Sequence, residues 1–235
     1  MRIFVLTGAG ISAESGLKTF RDNDGLWETH RVEDVATPEA FARDPALVQR
    51  FYNERRAALS DAAPNAAHKA LGRLQGALRD RGGALVLVTQ NVDDLHERGG
   101  ARDVIHMHGE LTGGLCAACG HRWTVDGALT PDSSCPACGT IGGPRPDIVW
   151  FGEMPYRMER IETELACADR FVSIGTSGAV YPAAGFVHAA RAHGLQTLEL
   201  NLEPSLGTPH FADARHGPAG TLVPEWAGEV LAGLS

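Results

Sequence analysis

Four of the five cysteines in this 235-residue chain fall in two pairs, Cys116-Ala117-Ala118-Cys119 and Cys135-Pro136-Ala137-Cys138, fifteen residues apart. Each pair sets two thiolates on one tight turn, and two such turns facing each other supply a tetrahedral sulfur shell for zinc. Gly120 and Gly139, directly after each pair, permit the backbone geometry of those turns. Four thiolates leave no position for water or substrate, so the expected metal is structural. The nearby Ile105-His106-Met107-His108-Gly109-Glu110-Leu111 stretch is then not required for metal. Its imidazoles are left as catalytic groups or ordinary strand residues. Cys167, alone in Glu162-Thr163-Glu164-Leu165-Ala166-Cys167, reads as a core thiol.

A second cluster has the chemistry of nucleotide binding. Gly8-Ala9-Gly10-Ile11-Ser12-Ala13 follows the apolar run Ile3 to Leu6, a G-x-G-x-x-A pattern in which glycines let backbone amides approach a pyrophosphate. A hydride-transferring dehydrogenase would place a second strand and an acidic residue about 20 residues further on. Here Thr19 to Trp27 is polar and loop-like, which weakens that reading. Gln90, Asn91 and Asp93 follow the run Ala84 to Thr89; Gly175-Thr176-Ser177 follows Phe171; and Asn201-Leu202-Glu203 ends the run from Thr197. Ligands of open α/β sheets bind at such carboxyl ends of strands.

The elements that must position these groups are legible from pattern. Asp44-Pro45 caps a helix through Arg56, Asn65 opens another through Leu78, and further helices are expected over Pro182 to Ala192 and Pro224 to Leu231. Strands alternating with helices imply an α/β fold with a mostly parallel, Rossmann-like sheet covered on both faces. Residues from about Asp22 to Asp61, with no convincing strand, and the Gly-, Pro- and Cys-rich Gly113 to Pro144 break that rhythm. We therefore expect a nucleotide-binding domain of residues 1–30, 64–110 and 145–235. A smaller discontinuous lobe of 31–63 and 111–144 would hold the zinc module.

Composition narrows the classes. At 43% hydrophobic residues the chain can bury one substantial core, and no apolar run approaches a signal peptide or membrane span. A cytoplasmic protein without membrane contact is expected, and reduced thiols fit that compartment. A net charge of −8 argues against a general nucleic-acid binder, which needs clustered cations to release counterions. A zinc ribbon on nucleic acid would want basic residues around the cysteines, yet Leu111 to Pro144 offers only His121 and Arg122 near them. The chain starts almost on its first strand and stops soon after its last helix, so no regulatory tail is expected.

The segments GAGISAESGLKTFR, TQNVDDLHERGG, HMHGEL, the paired C-x-x-C motifs, RPDIVWFGE and GTS occur here in the order seen in sirtuins, and the chain resembles that family from Gly8 to the Pro224 region. The resemblance implies an enzyme that consumes NAD⁺ to remove acyl groups from protein lysines, releasing nicotinamide and O-acyl-ADP-ribose. By motif position, Gly8, Ala9, Gly10, Ala13, Glu14, Phe20, Arg21 and Trp27 would wrap the pyrophosphate and ribose. Gln90, Asn91 and Asp93 would surround the nicotinamide ribose, with Asn91 also counted among the catalytic residues. Gly175, Thr176, Ser177, Asn201, Leu202, Glu203 and Ala219 would hold the adenosine half. His108 falls on the catalytic base, whose neutral imidazole takes a proton from the ribose hydroxyls. His106 would share its strand face but have a structural role.

Tyr52 and Arg55 lie three apart on a predicted helix and project from one face. A guanidinium fork beside a phenol suits a carboxylate. This Y-x-x-R element resembles that of class III sirtuins, which prefer succinyl- or malonyl-lysine. Ala36 aligns with a small residue that widens the acyl pocket, and Val149 lies in the substrate-contacting RPDIVWFGE segment. An ADP-ribosyltransferase using the same NAD⁺ site is the alternative enzyme. Acylated proteins are the expected partners, and the sequence says nothing of oligomeric state.

Overall fold

The computed structural model describes residues 1–17, 26–27 and 30–234. Six parallel strands form the main sheet: β1 (Arg2–Thr7), β4 (Ala84–Thr89), β5 (Ile105–His106), β9 (Arg170–Ile174), β10 (Gln196–Asn201) and β11 (Asp213–His216). Their order across the sheet is β11-β10-β9-β1-β4-β5. β1 therefore sits between two series of strands that run outward in opposite directions. Two more strands, β2 (Leu26–Trp27) and β3 (His30–Arg31), form a small antiparallel pair, and β6 (Gly109–Cys116) lies between β7 (Arg122–Thr124) and β8 (Pro144–Ile148) in a third sheet.

The helices are α1 (Val32–Val35), α2 (Pro38–Arg43), α3 (Pro45–Ala58), α4 (Ala66–Arg79), α5 (Leu95–Arg98), α6 (Met158–Ala166), α7 (Phe186–Ala192) and α8 (Ala219–Ala232). On one face of the main sheet, Leu71 and Leu74 of α4 join Val223 and Trp226 of α8 beneath Ile3 and Val5. On the other, Ile161 of α6 and Phe186 of α7 pack against Phe4, Leu6 and Phe171. Both faces of β1 are thus buried, which is why its sequence is a continuous apolar run rather than an alternating one. A third cluster, including Val48, Phe51 and Tyr52 of α3 with Leu111, Ile148 and Trp150, joins α1–α3 to the β6–β8 sheet. No described helix is long and apolar enough to cross a membrane.

Local sequence rules account for most element starts. The Asp44 carboxylate accepts from the Leu47 amide at 2.9 Å with Pro45 at the first helical position, and Asn65 accepts from the amides of Ala67 and His68 to open α4. Four expectations need correction. The last helix begins at Ala219 rather than Pro224, because the Glu14 carboxylate accepts from the Gly220 amide at 2.7 Å and orders a turn ahead of the proline. Pro182 is followed by a 3₁₀ turn, Ala183–Gly185, before α7 starts. Cys167 caps the C-terminus of α6 and is exposed, because the apolar stripe of that helix runs through Ile161 and Leu165 instead. The segment read as strandless contains the two-residue strands β2 and β3, too short to leave an alternating pattern.

The β6–β8 sheet carries the cysteines. All four sulfurs lie within 4.8 Å of one another, with Cys116 to Cys138 and Cys119 to Cys135 both 3.8 Å apart. Zinc–sulfur bonds of about 2.3 Å in a tetrahedron place sulfurs roughly 3.8 Å apart, so the set fits one zinc ion with every position filled by protein. Each chain is expected to hold one zinc atom, and Cys135→Ala, which removes a buried ligand, should release it and lower the melting temperature. Metal analysis finding well-folded protein without zinc would refute this.

Candidate active site

A cleft of about 1560 Å³ runs along the carboxyl edge of the main sheet. Every expected NAD⁺- or acyl-site residue inside the described range lines it: Gly8, Ala9, Gly10, Ala13 and Glu14 after β1; Gln90, Asn91 and Asp93 after β4; Gly175 to Ser177 after β9; Asn201 to Glu203 at β10; and Ala219, His108, Ala36, Tyr52, Arg55 and Val149. Phe20 and Arg21 lie outside the described residues, and of Trp27 only the backbone, in β2, is described.

The glycines also bring two loops together. The Gly8 amide donates to the Ile174 carbonyl at 3.0 Å and the Gly10 amide to the Gly175 carbonyl at 2.9 Å. Both N–H groups are thus engaged by the end of β9 and the residue after it. A Cβ on Gly10 would sit 2.8 Å from Gly175 Cα, and one on Gly175, whose φ is +63°, would sit 2.4 Å from the Ile11 amide. What these glycines permit is contact between two loop backbones, which closes the floor of the cleft.

Beneath that floor lies a buried polar chain. The Asn65 amide lies 3.3 Å and the Asn65 Oδ1 3.1 Å from His68 Nδ1, and His68 Nε2 lies 3.4 Å from Ser12 Oγ. Ser12 also accepts from Asn91 Nδ2 at 3.1 Å and donates to Asp93 Oδ2 at 3.0 Å, while Asp93 Oδ1 accepts from the Leu95 amide. Burial pushes His68 down to about 4, which keeps it neutral, and burial also raises Asp93 despite its hydrogen bonds. The network positions Asn91 and Asp93, yet Ser12 and His68 were not singled out from sequence. One signal was available: His68 interrupts an otherwise apolar face of α4 formed by Ala67, Ala70, Leu71 and Leu74.

The two motif histidines diverge. Only His106 is in β5; Met107 and His108 form the turn into β6, so the shared strand face expected of them does not exist. His106 Nε2 lies 2.8 Å from Glu97 Oε1 and its Nδ1 lies 3.3 Å from the Asn91 carbonyl. Both partners can only accept, which favours the doubly protonated ring. Burial alone would lower the His106 pKa, but the hydrogen bond and charge of Glu97 outweigh it and raise it. His108 Nδ1 instead lies 3.0 Å from the Gln90 carbonyl, which can only accept. That places the proton on Nδ1 and the lone pair on Nε2, while burial lowers the pKa against the opposing pull of the carbonyl. Gly109 makes this turn possible: at φ +81° its Cβ would fall 2.0 Å from the Asp147 carbonyl of β8.

The acyl-site candidates come from α3 and the segment after β8. Tyr52 is fully buried in the cleft wall and its oxygen accepts from the Trp150 indole at 3.0 Å. Arg55, one turn on, is half-buried, with its guanidinium 5.6 Å from the Phe51 ring. The Ala36 carbonyl accepts from the Phe151 amide at 3.0 Å, and the Val149 amide donates to the His108 carbonyl at 2.9 Å. One short segment therefore ties the histidine turn to the wall that holds Tyr52.

Comparisons with known proteins bear on the family of the chain. The Sir2 family model matches residues 8–182. A protein of Caulobacter vibrioides named NAD-dependent protein deacylase is 58% identical over 234 residues, covering 100% of this chain and 98% of its own length. One of the same name from Escherichia coli strain K12 is 57% identical, covering 99% of this chain and 83% of its own. A crystal structure described as a Sir2 homologue–NAD complex superposes with a TM-score of 0.88 at 40% identity, covering 100% of this chain and 91% of the other. With the family model spanning most of its length and such relatives aligning end to end, this chain belongs to the Sir2 family.

Proposed function

We propose that the protein is an NAD⁺-dependent protein-lysine deacylase that favours succinyl and malonyl groups, also accepts acetyl groups, and releases nicotinamide and O-acyl-ADP-ribose. One observation carries the reading: His108, held by the Gln90 carbonyl, shares a single cleft with Asn91, Asp93, Tyr52 and Arg55. In this reading the nucleotide half belongs to a Rossmann-like unit of residues 1–30, 64–110 and 145–235. The acyl half belongs largely to the inserted lobe of 31–63 and 111–144. Acylated cytoplasmic proteins would be the substrates.

When bound, NAD⁺ supplies a ribose carbon open to attack and nicotinamide as leaving group. The chain's own groups do the rest. Asn91 and Asp93, both hydrogen-bonded to Ser12, would hold the nicotinamide ribose. His108 accepts a ribose hydroxyl proton at Nε2, because Nδ1 is committed to Gln90 and a depressed pKa keeps the ring neutral at working pH. Ala36 keeps the acyl end of the pocket wide, and Arg55 offers a guanidinium fork to an acyl carboxylate.

His108→Ala is expected to keep the fold and NAD⁺ binding and to lose about 10²- to 10⁴-fold in deacylation rate, the usual cost of removing a general base. His106→Ala, which removes a charged support rather than a base, should cost less in rate. The order is checked by steady-state kinetics on folded variants, and the reverse order would overturn the assignment.

The pH profile gives a second check. Protonation of His108 abolishes its base function, so kcat/KM should fall only as pH drops through a pKa displaced below the ordinary histidine value. An acid limb centred above that ordinary value, about 6.5, would contradict the assignment.

The acyl reading is tested by Arg55→Met. A partly shielded guanidinium paired with a carboxylate is worth about 1.5 to 3 kcal/mol, or roughly ten- to 150-fold. The ratio of succinyl to acetyl kcat/KM should fall by that factor, mostly through KM, since the anchor is held in ground and transition states alike. An unchanged ratio would assign Arg55 to structure alone.

A further inference from the structure

Strand β10 carries a carboxylate between apolar neighbours. Alternation puts Thr197, Glu199 and Asn201 on one face, while Leu198 and Leu200 on the other join the core against α4 and α8. Glu199 is 1% exposed, and burying a carboxylate is costly unless its oxygens are hydrogen-bonded. Both oxygens are satisfied by hydroxyls of the loop after β10: Ser205 donates to Oε1 and Thr208 to Oε2. Each hydroxyl has one proton to give and is itself held from behind. Ser205 Oγ accepts from the Gly207 amide at 3.0 Å, and Thr208 Oγ1 accepts from the Ser205 amide at 2.7 Å.

Glu199, Ser205 and Thr208 do not line the cleft, yet the loop they anchor contributes Leu202, Glu203 and Leu206 to it. That loop also braces the one after β9. The Leu206 amide donates to the Ser177 carbonyl at 3.2 Å, and a Cβ on Gly178 would lie 2.5 Å from the Gly207 amide nitrogen. On the other side, His216 Nε2 lies 3.6 Å from Glu199 Oε2. His216 ends β11, directly before the turn that brings Pro218 and Ala219 to the cleft. Cleft-lining segments after β9, β10 and β11 therefore converge around one buried carboxylate.

We propose that Glu199 is a positioning residue for the adenosine half of NAD⁺: by fixing Ser205 and Thr208 it holds the loop after β10 in the shape that receives the nucleotide, and so sets cofactor affinity without touching the cofactor. This rests on the reading above in which Asn201, Leu202, Glu203 and Ala219 hold that half. It adds that affinity depends on a carboxylate beneath the cleft surface, two residues before the motif that lines it.

The experiment measures the Kd of ADP-ribose by calorimetry, together with kcat, the KM for NAD⁺ and the KM for an acyl peptide. It compares the unsubstituted enzyme with Glu199→Gln, Thr208→Val, Thr208→Ser and Leu202→Asp. ADP-ribose carries the adenosine half without nicotinamide, so its binding reads this end of the cleft by itself. Glutamine offers one acceptor oxygen in place of two, and valine keeps the threonine shape without the hydroxyl. Glu199→Gln and Thr208→Val should each raise the ADP-ribose Kd and the NAD⁺ KM about tenfold, the scale of one lost hydrogen bond to a carboxylate, and leave kcat and the acyl-peptide KM as they were. Thr208→Ser keeps the hydroxyl and should bind as the unsubstituted enzyme does. Thr208→Val acts on the same contact from the loop side, so it decides the matter should Glu199→Gln fold poorly. Losses in kcat and acyl-peptide KM that match the loss of ADP-ribose affinity would make Glu199 a general structural residue and overturn the proposal. Leu202→Asp changes a side chain that is 66% exposed in the cleft itself, and it should weaken ADP-ribose binding directly. If it does so while Glu199→Gln and Thr208→Val bind normally, this inference alone fails. If Leu202→Asp leaves binding unmoved, the adenosine half lies elsewhere, and that reading falls together with this inference.

Discussion

The close approach of the loops after β1 and β9 is the constraint on which the molecule depends. The sheet reverses its strand order between these two strands, so their following segments depart to opposite sides and a crevice opens where they part. Gly8 and Gly10 meet Gly175 backbone to backbone there, with hydrogen bonds to the carbonyls of Ile174 and Gly175. The contact draws the first turn of the chain across the sheet edge and brings Ser12 over Asn91 and Asp93. Any side chain at Gly10 or Gly175 would separate the loops, and the polar network under the cleft would lose the residue that joins its members.

The second half of the site is built by making single segments serve two structures. The Met107–His108 turn leaves the parallel sheet and enters the lobe sheet within two residues, with the Met107 amide bonded back to Thr89 and the His108 carbonyl bonded to Val149. Helix α3 is used on adjacent faces. Tyr52 and Arg55 line the cleft, while Asn53 pairs with the backbone of Leu129 and Arg56 donates to the carbonyls of Leu111 and Gly127. The cysteine-bearing segment and the cleft wall formed by Tyr52 and Arg55 are thus fastened through one helix. This gives the closed Cys₄ cluster a mechanical relation to the cleft without a chemical one.

Three histidines near the cleft titrate differently, each according to its neighbours rather than its residue type. His68 is buried among uncharged partners and stays neutral far below its ordinary range. His106 is largely enclosed but faces Glu97 and a carbonyl, which raise its pKa. His108 is offered one carbonyl and no carboxylate, so burial prevails and a neutral ring with a fixed tautomer results. The opposite shifts of His106 and His108 therefore come from the presence of Glu97 beside one ring and not the other.

Much of this was determined by sequence alone. The central strands β1, β4, β9 and β10 are apolar runs because both their faces are covered, and the caps at Asp44 and Asn65 are local chemistry that needs no tertiary partner. The cysteine spacing likewise carries its own geometry, and the ordered motifs carried the family and the residues that line the cleft. Tertiary structure decided what depends on partners far along the chain. The edge strands β5 and β11 exist only because a neighbour offers a ladder, and α8 gains its first turn from Glu14, over 200 residues away. His68 joining Ser12, Trp150 reaching Tyr52, and Gly10 serving Gly175 are all contacts between segments that sequence places far apart. Propensity and periodicity report on neighbours within a few residues, whereas these roles arise from which loops the sheet order brings to the same edge.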